Sequence, residues 1–344
     1  MRFFRVDPDD EVGVAHAVAL LNDARRQDDP DGLQLYPEVL SHQLRFGWDL
    51  EPEELYLCTP DGSATPVAVL ELSLPLRDNL HLVWGDITVH PSCRRQGHGS
   101  TVMAELISRA QEAGRSTIWL GVPDDEDGPR AFLERFGFRF GSRDARRRQV
   151  LADVDAAAVA DQYARAQQRA ADYVVERCTL PTPPEVLEQL VEVTAAINDA
   201  PMGDLSFEDE HFDVRRLQDF EAAAAGRQDR VYRIWARHRT TGEIGGHTVV
   251  TTNDYYPTFG WQADTAVSRG HRGHRLGLLL KVQMMHLLAE QEPQIQVVET
   301  WNNADNSFMI DVNEAIGYRL SRVFATYQLD VPTHDVRSAP QSSA

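Results

Sequence analysis

One stretch of this chain is written twice. DITVHPSCRRQGHGS at residues 86–100 aligns without a gap on DTAVSRGHRGHRLGL at residues 264–278. Asp86, Val89, Arg94 and Gly99 fall on Asp264, Val267, Arg272 and Gly277. Further on, ERFGFRF matches NEAIGYRL and pairs Gly137 with Gly317, at a separation that differs by only two residues between the halves. Two matched blocks at nearly constant spacing, each between the same kinds of element, mark a duplicated unit. Any fold for this chain must therefore be two copies of one fold. The length of 344 residues agrees, at roughly 150 residues per domain.

The first copy reads as strand, helices, strands, helix, strand, helix, strand. Residues 11–27 carry a helical apolar stripe, and ELYLCTP and TPVAVLELSLPL flank a turn at Asp61-Gly62. HLVWGDITVH is a strand, Gly97 to Gly114 a helix that stops at a glycine, STIWLGV a short strand, and GPRAFLERFGF a helix running into a last strand near Phe138. The second copy repeats the order from YVVERCTL, an edge strand, to RLGLLLKVQMMHLLAEQ, QIQVVET and SFMIDVNEAIGY. The alanine-rich residues between the copies read as a connecting helix. The expected organisation is a first module over 1–152, a connecting helix over 153–171, a second module over 172–330, and a disordered Ser/Pro-rich tail over 331–344.

In both copies a strand runs into an Arg-x-x-x-x-Gly turn that opens a helix. A helix start leaves about four N–H groups without intrahelical partners and carries partial positive charge. Glycine lets the backbone approach an anion, so such a turn suits a pyrophosphate. The turns are Arg94-Arg95-Gln96-Gly97-His98-Gly99 and Arg272-Gly273-His274-Arg275-Leu276-Gly277. Neither is a Walker loop, which needs GxxxxGK[ST], and Gly97-His98-Gly99 lacks the third glycine of the dinucleotide fingerprint, which excludes a Rossmann-type oxidoreductase.

At these residues the chain resembles the GNAT superfamily of N-acetyltransferases, whose signature is [Q/R]-x-x-G-x-[G/A] between the fourth strand and the third helix. RRQGHG fits it fully; RGHRLG departs at Arg275, where the middle glycine would stand. The family's second signature, an asparagine followed by a helix ending in Gly-Phe or Gly-Tyr, is similar to the segment from Asn306 to Tyr318; in the first copy Glu126 holds the asparagine position. The resemblance spans nearly the whole chain and implies an α/β fold, two tandem GNAT modules each built on a mixed sheet that splays between its fourth and fifth strands. Acetyl-CoA is the implied cofactor, with its thioester carbonyl meeting strand-four N–H groups near Val89 and Val267. The turns, Val89 and Arg94 to Ser100 in one copy and Val267, Arg272 to Leu278 and Asn306 in the other, are the implied cofactor contacts.

The implied reaction is acetyl transfer to a small-molecule or peptide amine by direct attack, without a covalent enzyme intermediate. The tyrosine that often serves as the acid in this family, four residues before the terminal Gly-Phe, is replaced by Leu133 and Asn313. Asn313 can offer an N–H, Tyr318 could substitute as the acid, and Asp264, like Asp86, is either a base or a structural carboxylate. Asp204, Glu208, Asp209 and Glu210 form an acidic segment suited to an ammonium group. His271 and His274 lack a third ligand, so no metal site is expected. Because DDEDGP at 124–129 would face a polyanionic cofactor with four carboxylates, and Asn306, Asn313 and the acidic segment all belong to the second copy, catalysis is expected there. A non-catalytic acyl-CoA-binding sensor or assembly protein is the alternative.

Charge and cysteine usage narrow the partners. A net charge of -19 disfavours nucleic acid and favours cationic partners. Cys58, Cys93 and Cys178 are scattered, as in a reducing compartment. No apolar run approaches the ~20 residues of a membrane span and the start is charged, so a soluble cytoplasmic protein is expected. The sequence leaves the oligomeric state open.

Overall fold

The computed structural model describes residues 1–332; most of the expected tail lies outside them. The first half runs β1 (Arg2–Arg5), α1 (Glu11–Asp28), α2 (Pro37–Phe46), β2 (Glu54–Thr59), β3 (Ala68–Ser73), β4 (Leu82–Val89), α3 (His98–Glu112), β5 (Thr117–Pro123), α4 (Asp127–Arg135) and β6 (Arg139–Val150). Helix α5 (Ala156–Arg169) joins it to β7 (Tyr173–Thr179), α6 (Pro184–Ala195), α7 (Val214–Gly226), β8 (Arg230–His238), β9 (Ile244–Thr252), β10 (Phe259–Val267), α8 (Leu276–Gln291), β11 (Val297–Asn303), α9 (Ser307–Ala315) and β12 (Arg319–Asp330).

All twelve strands form one sheet in the order β1-β2-β3-β4-β5-β12-β6-β11-β10-β9-β8-β7. Each half gives its last strand to the other. β12 pairs antiparallel with β5, from Phe324 opposite Pro123 to Asp330 opposite Thr117, and β6 pairs antiparallel with β11. The two exchanged strands also pair with each other. The strand expected near Phe138 is present, but it lies beyond β12 rather than beside β5, because a strand's neighbours are chosen by tertiary packing and not by its own residue pattern.

Alternation along the strands divides each half into two layers. In the first half, Leu70, Val83, Ile118 and Leu120 pack with Val102, Met103 and Leu106 of α3 on one face. Leu55, Leu57 and Val69 pack with Val14, Leu21, Leu40 and Leu44 of α1 and α2 on the other. The second half repeats this with α8 and α9 on one face and α6 and α7 on the other.

Both halves splay where the resemblance implies. The parallel ladder between β4 and β5 ends at Gly85 opposite Leu120, while β4 stays paired to β3 as far as Val89. Likewise β10 and β11 separate after Trp261. Antiparallel pairs alternate in hydrogen bonding. His90 N–H donates to Val67 O (2.9 Å) and Ser268 N–H to Gly245 O (3.1 Å), so the Val89 and Val267 N–H groups point into the openings.

Candidate active site

The two signature turns adopt the same shape with exchanged residues. Two left-handed positions are needed in each. They are Arg95 (φ 62°) and Gly97 (φ 87°) in the first half, and Gly273 (φ 84°) and Arg275 (φ 58°) in the second. Each helix start lacks a side-chain cap. The leading arginines, expected to contact the cofactor, instead brace the turn. Arg94 Nε donates to Val89 O (3.0 Å) while its Nη1 holds Asp28 (2.8 Å) at the end of α1. Arg272 Nε donates to Val267 O (3.2 Å), and its guanidinium pairs with Asp199. Short range explains the correction: the guanidinium folds back onto the strand that precedes it.

Surroundings separate the two turns. In the first half Arg95, Gln96 and Gly97 are exposed, His98, Gly99 and Ser100 are partly so, and a Cβ at Gly97 would meet nothing within 4 Å. Arg95 has no ion-pair partner among the described residues, and Arg135 of α4 donates to Ser100 Oγ (2.7 Å). In the second half Leu276, Gly277 and Leu278 are buried. Helix α5 packs beside Leu276 and Leu278: Val159, Ala166 and Ala170, spaced to share one helical face, join their core, Arg275 donates to Gln162 (2.7 Å), and His274 meets Arg169 O (3.3 Å). Of the expected cofactor contacts, Arg275, Leu276 and Leu278 are thus engaged beside the protein's own helix, whereas Arg272 and Gly273 are exposed and a Cβ at Gly277 would meet only Thr265, at 4.0 Å. His271 is engaged by the Tyr173 hydroxyl (2.7 Å).

Other expected residues of the second half are also committed elsewhere. Asn306 is the cap of α9, accepting from Met309 N–H (3.1 Å), since an asparagine before a helix satisfies an orphan donor. Asn313 is fully buried and donates to Asn302 Oδ1 (2.7 Å). Tyr318 lies in the core with Lys281 Nζ 5.3 Å from its ring centre, and burial raises its pKa, so it is a poor acid there. The acidic segment crosses to the first half. Glu208 pairs through its backbone with Asn79, Phe207 stands 5.7 Å from Trp119, and Glu210 is held by Arg216 (2.6 Å). Asp204, Glu208 and Asp209 face solvent. The carboxylates at 124–127 do not face a cofactor unpaired. Asp124 binds Arg143 (2.8 Å), Asp125 and Glu126 bind Arg322 (3.2 and 2.6 Å), and Asp127 pairs with Arg130. Arg143 and Arg322 come from the two exchanged strands, which sequence spacing could not reveal.

A site that the sequence reading missed lies where β4 leaves β5. Glu71 on β3 stands directly across from Asp86 on β4, and Trp84, half exposed, shares that face. Trp84 and Trp119 meet edge to face at 5.7 Å. Solvent reaches Asp86, but the cleft walls crowd it and raise its pKa. The same crowding, with the Asp86 charge second, pushes Glu71 up to about 8. Two carboxyl groups directly across from each other on one face repel when both are charged, which favours keeping a proton on one of them. The second half has Val249 at the Glu71 position, so Asp264 there has no such partner.

Residues 10–138 match the model of the acetyltransferase (GNAT) family. A tandem GNAT protein from the clavulanic acid biosynthesis pathway is similar over 97% of this chain and 99% of its own, at 26% identity and a TM-score of 0.79. Residues 10–138 are a GNAT acetyltransferase domain, and the whole chain shares the fold of a tandem GNAT protein. A GCN5-related N-acetyltransferase from Sphaerobacter thermophilus shares the fold over 97% of this chain and 98% of its own, at 15% identity and a TM-score of 0.68. A glucosamine N-acetyltransferase region of a fungal multi-domain β-N-acetylglucosaminidase shares it over 95% of this chain and 38% of that one, at 16% identity and a TM-score of 0.71. No curated protein matches the sequence significantly. The GNAT fold supports acyl transfer in general. No helix among the described residues is long and apolar enough to cross a membrane.

Proposed function

We propose that this protein transfers an acetyl group from acetyl-CoA to a small-molecule or peptide amine, and that the first half carries the reaction. The observation behind this choice is the pairing of a free turn with the Glu71–Asp86 carboxyls in one half, against a turn whose His274 and Arg275 are tied to α5 and a valine in the other. The sequence expectation favoured the second half. Its supports, Asn306, Asn313 and the acidic segment, are occupied in capping, packing and crossing to the other half. We retain 1–152 and 172–330 as the modules, with 153–171 as the connection that packs beside the second turn.

The first half fits acetyl-CoA on its own features: an uncapped helix start, open space at Gly97, free Arg95, and the Val89 N–H aimed into the splay. When bound, acetyl-CoA supplies an activated acyl group on a thiolate leaving group. The α3 start and Arg95 would hold its phosphates, and the Val89 N–H would polarise its carbonyl. Trp84 and the carboxyl pair would receive an ammonium ion, by cation–π attraction and charge. With its second proton lost, the pair is a base that takes a proton from the ammonium group and frees the nitrogen lone pair for attack. A new N–C bond would then form as the C–S bond breaks, with the surplus proton on the nitrogen passing to the departing thiolate.

The test is the pH dependence of kcat/KM for thiol release with an amine panel. In the wild type the rate should climb through about pH 8, as the Glu71–Asp86 pair loses its second proton. Glu71→Gln should lower kcat/KM by about 10²-fold, the low end of general-base catalysis, and move the rising limb to lower pH. A variant with unchanged rate and profile would remove the pair from the mechanism.

A further inference from the structure

The duplicated fold serves as its own control, and it differs most sharply under α6 and α7. There β8 and β9 bury Arg233, 2% exposed, and His247, 1% exposed. The strand registers place these two at the positions of Leu55 and Val69 in the first half, both buried among apolar side chains. Burying a guanidinium where the sister copy keeps leucine is costly unless something requires it.

The two side chains are incompletely partnered. Arg233 Nη1 lies 3.5 Å from His247 Nδ1, and its Nη2 3.6 Å from Glu221. Arg233 Nε, His247 Nε2 and Thr194 Oγ1 are buried without hydrogen-bond partners. All three residues line one cavity of about 90 Å³, together with Asp264 and the apolar wall of Phe212 and Phe220. A guanidinium can only donate, so His247 Nδ1 is the acceptor and Nε2 carries the proton. Burial beside Arg233 keeps the ring neutral, with its pKa down to about 3. Three unpartnered donors thus belong to residues that line one space, while the Asp264 carboxyl has no hydrogen bond among the described residues.

We propose that this cavity binds a small zwitterion, its carboxylate accepting from Arg233, His247 and Thr194 and its ammonium group facing Asp264. The volume holds about three waters, or a molecule of about five or six non-hydrogen atoms, which is the size of the smallest amino acids. A bare anion is the poorer fit, because the unpaired Asp264 lines the same wall, while Asp49 and Glu210 are neutralised by Arg216. This site is separate from the Glu71–Asp86 cleft and needs no acyl-CoA.

Calorimetry of the full chain without acyl-CoA tests it, with glycine, L-alanine and β-alanine as zwitterions, acetate and propionate as bare carboxylates, and ethylamine as the bare amine. At least one zwitterion should bind at least about tenfold more tightly than every bare carboxylate and the bare amine, since each lacks one charge-assisted contact. Asp264→Asn should weaken that zwitterion by about tenfold or more, and Arg233→Leu combined with His247→Val, the residues of the first half, should abolish binding. Absence of binding by all three zwitterions overturns the proposal. So does a bare carboxylate or amine that binds as tightly, or wild-type affinity in folded Asp264→Asn protein. Because acetyl transfer is not read, failure here leaves the assignment of the first half untouched.

Discussion

Lys281 is the only lysine in the chain, and it is 2% exposed within the second core. It forms no ion pair among the described residues; its nearest compensation is the face of Tyr318. Burial lowers its pKa from the ordinary 10.5 to about 7. At 1.36 kcal/mol per pH unit, that depression corresponds to about 5 kcal/mol. The sign follows from proton counting. Between pH 7 and 10.5 the unfolded chain keeps the lysine proton and the folded chain gives it up, so stability rises with pH across that window. Below pH 7 the penalty is present in full, less about 1–2 kcal/mol returned by the cation–π contact. The first half has Met103 at the matching position, also buried against its sheet. Lys281→Met should therefore stabilise the protein by roughly 3–4 kcal/mol at pH 6, which is about 5 °C in Tm for a chain of this size. The gain should shrink toward zero near pH 10.5. Calorimetric melts of both proteins at pH 6, 8 and 10 measure it. An equal Tm difference at all three values, or a less stable variant at pH 6, would refute the reasoning.

Two further outcomes follow from the first turn. Gly97→Ala adds a Cβ that touches no protein atom but sits at φ 87°; it should cost about 1–2 kcal/mol in denaturant unfolding, and weaken acetyl-CoA in calorimetry, whereas unchanged affinity would show that the cofactor does not approach this backbone. Asp28→Asn loosens the brace on Arg94; with both side chains about one-third exposed, the stability change should stay under about 1 kcal/mol, while the affinity for acetyl-CoA falls several-fold, and equal affinity would make the brace irrelevant to binding.

The duplication and the strand-turn-helix order were readable because each is local: periodicity, glycine placement and a repeated motif are written in contiguous residues; the splay was expected only through the family resemblance that the turns carry. What depended on register or on distant partners was not. Glu71 lies in an unremarked strand, and only its alignment opposite Asp86 makes it chemical. The carboxylates at 124–127 looked repulsive until strands 139–150 and 319–330, exchanged between the halves, brought Arg143 and Arg322 to them. Asn306 fits a family signature, but it also has the residue type that caps a helix, and capping is what it does. The polar substitution of Arg233 and His247 into an otherwise apolar layer is visible in sequence only after the two copies are aligned strand by strand.

The central claim is that the free turn of the first half, and not the turn tied to α5 in the second, takes acetyl-CoA. Native mass spectrometry of the whole chain with acetyl-CoA counts the bound molecules directly. The account predicts one per chain in the wild type and none in Gly99→Glu, whose carboxylate would enter the turn beside Val89 and Phe132. Two molecules per chain, or one retained by folded Gly99→Glu protein, would contradict it.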